Sequence, residues 1–380
     1  MRRFGGGRYH PEMRFPVIRP AMPSAERWAE LLAESYAANR FSNSGPLAQR
    51  LEARLVAAWG AECSACVLVS SGTAAIAAPL IAEGVRGPVL LPAFTFPATL
   101  AAIRMAGAEP LLMDVCPRTW TTDAATLDAA FAVSGASAAV VLRPFGLRTD
   151  LDDHAEVAER HGAVLVIDDA AGLGVDRDVP EMNPRVFEAY SLHATKPFGI
   201  GEGGAVFAHR EAEERLRRAI NFGLPNPDAT REPTWGINGK MAEFQAAVGL
   251  AVADGFAAQL ARRRVLAARY AAVVAAFPAV ACRTEVGDGA WQFFPLLLPD
   301  ASAADRFEVE TRDRGMEIRR YYAPSLSRYR DVPRVTACPV SENLAGRMCC
   351  VPVYPDSSDG EIDEMSSIVE AALRMSLAEG

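Results

Sequence analysis

From about residue 67 the chain alternates short apolar runs with segments whose apolar residues recur every three or four positions. The runs at 67–69, 89–91, 109–113, 138–142, 164–167 and 186–190 are short and mostly apolar, as strands buried on both faces are. The segments between them, at 73–81, 97–105, 126–132 and 151–160, have helical spacing. Strand and helix taking turns in this way predict an α/β fold: a mostly parallel sheet sandwiched by helices, with ligands gathering at the carboxyl ends of its strands. Ahead of this region lie two amphipathic stretches, 25–38 and 46–59, the second introduced by the turn signal Ser42-Asn43-Ser44-Gly45. Beyond Gly204 the pattern changes to alanine-rich helices at 211–220 and 242–276, the latter broken near Gly255. A smaller mixed region follows, with strands expected at 291–298 and 348–353 and helices at 303–314 and 360–377. These changes divide the chain into an N-terminal arm (1–24), a large domain (25–255) and a smaller C-terminal α/β domain (256–380).

Length and composition agree with such a division: 380 residues, half of them hydrophobic, can bury a large core. The 47 acidic and 39 basic residues are well mixed, so neither a nucleic-acid partner nor an anionic membrane surface is expected. The first 24 residues lack an apolar targeting core, and no later segment reads as a membrane span, so a cytoplasmic protein is expected. Seven cysteines in such a chain read as reduced thiols. Cys63 and Cys66 form a C-x-x-C without a second pair or nearby histidines, and no metal site is expected.

The basic residues themselves are unusual. Only two of the 39, Lys196 and Lys240, are lysines. Arginine stays protonated, whereas lysine can lose its proton and condense with a carbonyl, so a lysine retained here invites a chemical explanation beside the simple one of a surface charge. Two other segments bear on Lys196. Ser70-Ser71-Gly72-Thr73 follows an apolar strand and opens a helix, which makes either a phosphate cup or an ordinary N-cap. Val164-Leu165-Val166-Ile167-Asp168-Asp169 sets two carboxylates at a strand end, where one can hold a cationic ligand nitrogen or cap the next segment. Phosphate cup, strand-end acid and lone lysine, in that order on an α/β sheet, meet the requirements of pyridoxal phosphate: an acid that keeps the pyridine nitrogen protonated, and a lysine that forms a Schiff base and shuttles protons.

These segments occur with others: Asn43-Ser44-Gly45-Pro46, Pro92-Ala93-Phe94-Thr95-Phe96-Pro97-Ala98-Thr99, Asp168-Asp169-Ala170-Ala171, Ser191 through Lys196, Gly201-Glu202-Gly203-Gly204, and Gly236-Ile237-Asn238-Gly239-Lys240-Met241-Ala242-Glu243-Phe244-Gln245-Ala246. Together they make the chain resemble the DegT/DnrJ/StrS family of nucleotide-sugar aminotransferases, which are fold-type I pyridoxal-phosphate enzymes. The resemblance runs from about Phe15 to the C-terminal helix. It implies that Lys196 forms the Schiff base, Asp169 pairs with the pyridine nitrogen and Phe96 stacks on the ring. It also implies that Gly72, Thr73 and Ser191 hold the phosphate. Asn238 is expected to reach the phosphate of a neighbouring subunit, making a homodimer with shared active sites the functional unit. Lys240 stands where the family usually has arginine.

The implied reaction carries an amino group from an amino acid, glutamate or glutamine, to a keto group on a nucleotide-linked deoxysugar, in amino-sugar or antibiotic biosynthesis. Three positions depart from the family. Gly172 stands where a glutamine is usual three residues after the acid, Arg143-Pro144-Phe145-Gly146 replaces a histidine-tyrosine-glycine, and Ser327 replaces a histidine. A cyclitol or other non-sugar ketone is therefore the alternative acceptor, and a non-catalytic protein that kept the fold is the third reading. The dehydratase branch of the family has histidine in place of the Schiff-base lysine, and this chain has Lys196.

Overall fold

A computed structural model describes residues 13–175, 183–225, 230, 233–283 and 289–378. The N-terminal helices are α1 (Ala25–Ala29), α2 (Leu32–Ala38) and α3 (Pro46–Trp59). The stretch expected as one helix at 25–38 is thus interrupted around Leu31. The alternating region then runs β1 (Ser64–Val69), α4 (Gly72–Ala82), β2 (Pro88–Pro92), α5 (Pro97–Met105), β3 (Glu109–Met113), α6 (Ala124–Ser134), β4 (Ala138–Leu142), α7 (Asp152–Arg160), β5 (Val164–Asp168), β6 (Val186–Ser191) and β7 (Gly204–His209). The α/β expectation holds: these seven strands form one mostly parallel sheet in the order β1-β7-β6-β5-β4-β2-β3.

The strand β7 was not expected, because Gly204-Ala205-Val206-Phe207-Ala208-His209 is too small and alanine-rich to stand apart from the helices that follow. It lies antiparallel between β6 and β1, with Ala205 opposite both Tyr190 and Leu68. Two antiparallel steps make β1 parallel to β6, so the carboxyl ends of β1, β5 and β6 share one edge of the sheet. Along β5 the side chains alternate between faces. Val164 and Val166 enter the core beneath α4 and α5, while Leu165 and Ile167 enter the core beneath α6 and α7.

After β7 come α8 (Glu213–Ala219), α9 (Glu243–Ala253) and α10 (Phe256–Val274), with a 62° bend between the last two where a break near Gly255 was expected. The remaining elements are β8 (Phe293–Leu297), α11 (Ala301–Asp313), α12 (Pro339–Arg347), β9 (Met348–Pro352) and α13 (Asp359–Leu377). Helix α12 was also not expected from the sequence. Strands β8 and β9 pair antiparallel over a core shared with α10, α11 and α13. Residues 1–12 of the expected arm lie outside the described residues. Its remainder is anchored to this C-terminal core: Phe15 is buried, its amide donates to the Gly315 carbonyl at 2.9 Å, and its carbonyl accepts from the Glu317 amide at 2.9 Å. Among the described residues no single helix is long and apolar enough to cross a membrane.

Candidate active site

At the shared carboxyl edge of β1, β5 and β6 a cavity of about 330 Å³ opens between the large sheet and the segments at 291–298 and 318–322. Its floor comes from the sheet side. Helix α4 starts at the end of β1, where the Ser71 hydroxyl accepts the Ala74 amide at 3.1 Å and caps the helix. The amides of Gly72 and Thr73 in that first turn have no intrahelical acceptor, as in any helix, and carry the positive end of its dipole. Ser191, at the end of β6, packs directly beneath them: a Cβ on Gly72 would lie 2.6 Å from the Ser191 Cβ and 2.8 Å from its Oγ. Only glycine lets the helix start approach the strand this closely. Gly72, Thr73 and Ser191 all line the cavity.

Lys196 reaches the same cavity from the loop between β6 and β7. That loop is folded back on itself by hydrogen bonds from the Leu192 amide to the Gly203 carbonyl and from the Ala194 amide to the Gly201 carbonyl, and Gly201 takes a φ of +101° to permit it. Burial lowers the pKa of the lysine amine to about 8, against the opposing pull of Asp168. Near neutral pH such an amine is unprotonated for about a tenth of the time, far more than an ordinary lysine.

Of the two strand-end acids, Asp168 lines the cavity, and Asp169, the one expected to meet the pyridine nitrogen, is not among its lining residues. One Asp168 oxygen accepts the Thr99 hydroxyl at 2.8 Å, and the other lies 3.3 Å from the Ala170 amide. Burial raises its pKa, while Thr99 and the positive charge of Lys196 pull it down. Asp169 belongs to the opposite face, the face of Leu165 and Ile167, and there accepts a hydrogen bond from Arg143 at 3.3 Å. The same arginine nitrogen donates to Glu188 at 2.9 Å. Adjacent residues on a strand point to opposite sides, and the register of β5 puts the even-numbered ones toward the cofactor edge. The residue three positions after the facing acid is then Ala171 rather than Gly172. A Cβ at Gly172 would lie 1.9 Å from an Asp169 oxygen, so the turned-away aspartate itself excludes a side chain there.

Phe96 lines the cavity, with about half of its surface exposed. Asn238 does not reach it. It is exposed on a short bridge to Asn221, beside Lys240, whose amine donates to the Asn221 side chain at 2.9 Å and lies 4.5 Å from the Phe222 ring centre. Phe145 lines the cavity while Arg143 is turned away to Asp169 and Glu188. The buried Ser327 donates to Glu342 at 3.0 Å and does not line the cavity.

The opposite wall consists of residues that were not expected. Gln292 is buried; its carbonyl oxygen accepts from the Lys196 amine at 3.2 Å and its amide nitrogen donates to the Thr195 carbonyl at 3.2 Å. One signal was available: Gln292 is the only polar side chain between Ala290 and Leu298, and a buried amide in an apolar strand requires partners. Arg319, Tyr321 and Tyr322 complete this wall, with Tyr322 stacked on Phe145 at 5.6 Å between ring centres. Burial keeps both tyrosines protonated.

Residues 24–370 match the model of the DegT/DnrJ/EryC1/StrS aminotransferase family. The chain belongs to that family. A dTDP-4-amino-4,6-dideoxy-D-glucose transaminase of Shigella dysenteriae is 26% identical, with 93% of this chain and 97% of the relative covered. Among solved structures, DesI in the presence of its TDP-sugar product is 29% identical with a TM-score of 0.84, covering 95% of this chain and 93% of that one. A putative PLP-dependent aminotransferase from Bacillus cereus is 26% identical with the same TM-score, covering 93% and 99%. The protein is a pyridoxal-phosphate-dependent aminotransferase of fold type I. The cavity fits that cofactor: an anion cup that a single Cβ would close, a buried amine on one side, and a buried carboxylate that a cationic ring nitrogen would hold ionised.

Proposed function

We propose that this aminotransferase takes an amino group from an amino acid, glutamate or glutamine, and delivers it to a keto group on a nucleotide-linked deoxysugar. The observation that carries the reading is the near end-to-end match to the Shigella transaminase and to DesI, combined with a lysine, an acid and an anion cup lining one cavity. Pyridoxal phosphate, when bound, supplies a carbonyl carbon that condenses with primary amines and a ring that accepts electron density. The rest is the work of this chain's residues.

Gly72, Thr73 and Ser191 hold the phosphate through the open amides of α4 and the hydroxyls around them. Asp168, fixed by Thr99, holds the proton on the ring nitrogen, because a buried carboxylate gains most from a cation placed against it. Phe96 covers the ring. Lys196 would hold the cofactor covalently, and its amine would also carry a proton on and off the substrate carbon; an amine with a pKa near 8 is suited to both directions of that transfer. Gln292 keeps the amine directed into the cavity from the Thr195 side. The wall of Phe145, Tyr321 and Tyr322 excludes water from the reacting carbon.

The functional unit in this reading is a homodimer. Exposed Phe222, Trp235 and Phe244 lie on the same stretch of chain as Asn238, and a second copy covering them would bring Asn238 to its phosphate. The chain divides for this purpose near Gly255 into a large cofactor domain and a smaller C-terminal one, with the cavity between them. Adding L-glutamate to the holoenzyme is expected to remove the cofactor's visible absorbance band, and a dTDP-4-keto-6-deoxysugar to restore it. Restoration by keto-cyclitols alone would defeat the sugar reading in favour of the cyclitol one.

A further inference from the structure

Thr195, Lys196 and Gln292 also border a second, smaller cavity of about 20 Å³. Residues 17–21 of the N-terminal arm and Arg263 of α10 contribute to its wall. Among the described residues that line it are three cations, Arg19, Lys196 and Arg263, and no acid. Two of these charges are met within the protein. Arg19 pairs with Asp356 at 3.0 Å and with Glu361 at 2.8 Å, and Lys196 is under the pull of Asp168.

Arg263 is treated differently. It is only 6% exposed, and one of its terminal nitrogens donates to the carbonyls of Trp291 at 3.2 Å and Val353 at 2.8 Å. Its Nε is buried without a hydrogen-bond partner. No carboxylate pairs with it among the described residues, and Asp356, which favours its charge from a distance, is already engaged by Arg19. The preceding residue, Arg262, shows how this chain ordinarily neutralises an arginine, pairing with Asp359 at 2.7 Å. Burial lowers the pKa of Arg263 to about 10, which still leaves it charged near neutral pH.

Carbonyl oxygens accept its hydrogens but do not cancel its charge, and a buried ion without a counter-ion is strongly disfavoured. A water molecule at Nε would complete the hydrogen bonding and leave the charge as it is. An anion would do both. The cavity exceeds the roughly 10–15 Å³ that one water requires, and is far too small for a phosphate group or an organic acid. We propose that this cavity is a halide site, in which a single chloride ion sits against the Arg263 guanidinium, beside Lys196, and supplies the countercharge that the chain withholds. The site is separate from the amino-transfer reading and stands or falls without it.

Two measurements on the full-length holoenzyme test this. Wild-type crystals grown in sodium bromide and measured at the bromine absorption edge are expected to show an anomalous peak against the Arg263 guanidinium. A water without anomalous signal in that place, or bromide confined to surface positions as an adventitious ion only, would overturn the proposal. In the second measurement chloride replaces gluconate at equal ionic strength while melting is followed. Chloride is expected to raise the melting temperature of the wild type by about 1 to 3 °C more than that of Arg263→Gln, since only the folded site holds the ion. Arg263→Lys, which keeps a cation, should fall between the two. An equal response in wild type and Arg263→Gln would overturn the proposal as well. Should Arg263→Gln fail to fold, the bromide crystals decide on the wild type alone.

Discussion

The end of β5 presents two carboxylates one residue apart, and their surroundings could hardly differ more. On the cavity side Asp168 meets a threonine hydroxyl and the charge of a lysine whose own protonation is easily lost. On the far side Asp169 meets Arg143, a permanent cation shared with Glu188, which in turn accepts from the Tyr190 hydroxyl at 3.2 Å. On the far face the protein itself supplies a permanent cation to Asp169. The near face is left for a ligand to complete. The same side chain thus serves either structure or chemistry according to which face of the strand it occupies, and the face is decided by a register of one residue.

Removing the group that the near face is built around should have the largest effect. Lys196→Ala is expected to lower turnover by about 10³-fold or more, since it removes both the covalent hold and the proton carrier; steady-state rates and loss of the bound cofactor band on gel filtration check this. The two aspartates then separate the faces directly. Asp168→Asn should lower turnover by roughly 10²- to 10³-fold with little change in melting temperature, through loss of a buried charge partner. Asp169→Asn should do the reverse, leaving turnover per folded molecule within a few-fold while destabilising the protein by up to about 3 kcal/mol, because it weakens a buried ion pair and leaves Arg143 undercompensated. Loss of activity in Asp169→Asn at unchanged stability would exchange the two roles.

Smaller effects sharpen the same contrast. The amine of Lys196 attacks only when unprotonated, and its pKa is lowered to about 8. The rate at which cofactor-free protein takes up pyridoxal phosphate should therefore climb nearly tenfold per pH unit below 8 and level off above it, provided the cofactor's own ionisation is corrected for. Stopped-flow absorbance from pH 6 to 9.5 reads this directly. Thr99→Val removes one hydrogen bond to the Asp168 carboxylate and raises the pKa of that acid further, so turnover should fall several-fold, corresponding to about 1 kcal/mol, and fall more at low pH than at high.

Most of the large sheet was legible because its strands are short apolar runs separated by helical spacing, and that spacing depends on the chain alone. The strand β7 was not, since three of its six residues are alanine, which favours helix, or glycine, which favours neither, and only the flanking β1 and β6 make a strand of them. Lys196, Gly72, Thr73, Ser191 and Phe96 were legible as motif residues and line one cavity. The choice between Asp168 and Asp169 was not legible. Every residue from Val164 to Ile167 is apolar and buried, so no alternation of polar and apolar positions marks which parity faces the ligand. The far wall was hidden for another reason. Gln292, Arg319 and Tyr322 come from segments more than ninety residues beyond Lys196, and their approach depends on how β8, β9 and the arm around Phe15 pack, which no local pattern encodes.

The scarcity of lysine has a practical consequence. Apart from the chain terminus, the protein offers an amine-directed reagent just two side chains: Lys240, held by Asn221 and the Phe222 ring, and Lys196, half-buried in the cavity. Acylation or reductive methylation followed by mass analysis therefore resolves into very few products, and with Lys196 holding the cofactor as proposed, the fraction labelled there is expected to fall as the site fills. Lys240 stands beside it as an internal reference. The chain is in effect a gauge of its own cofactor occupancy, readable in a crude mixture without any assay of turnover.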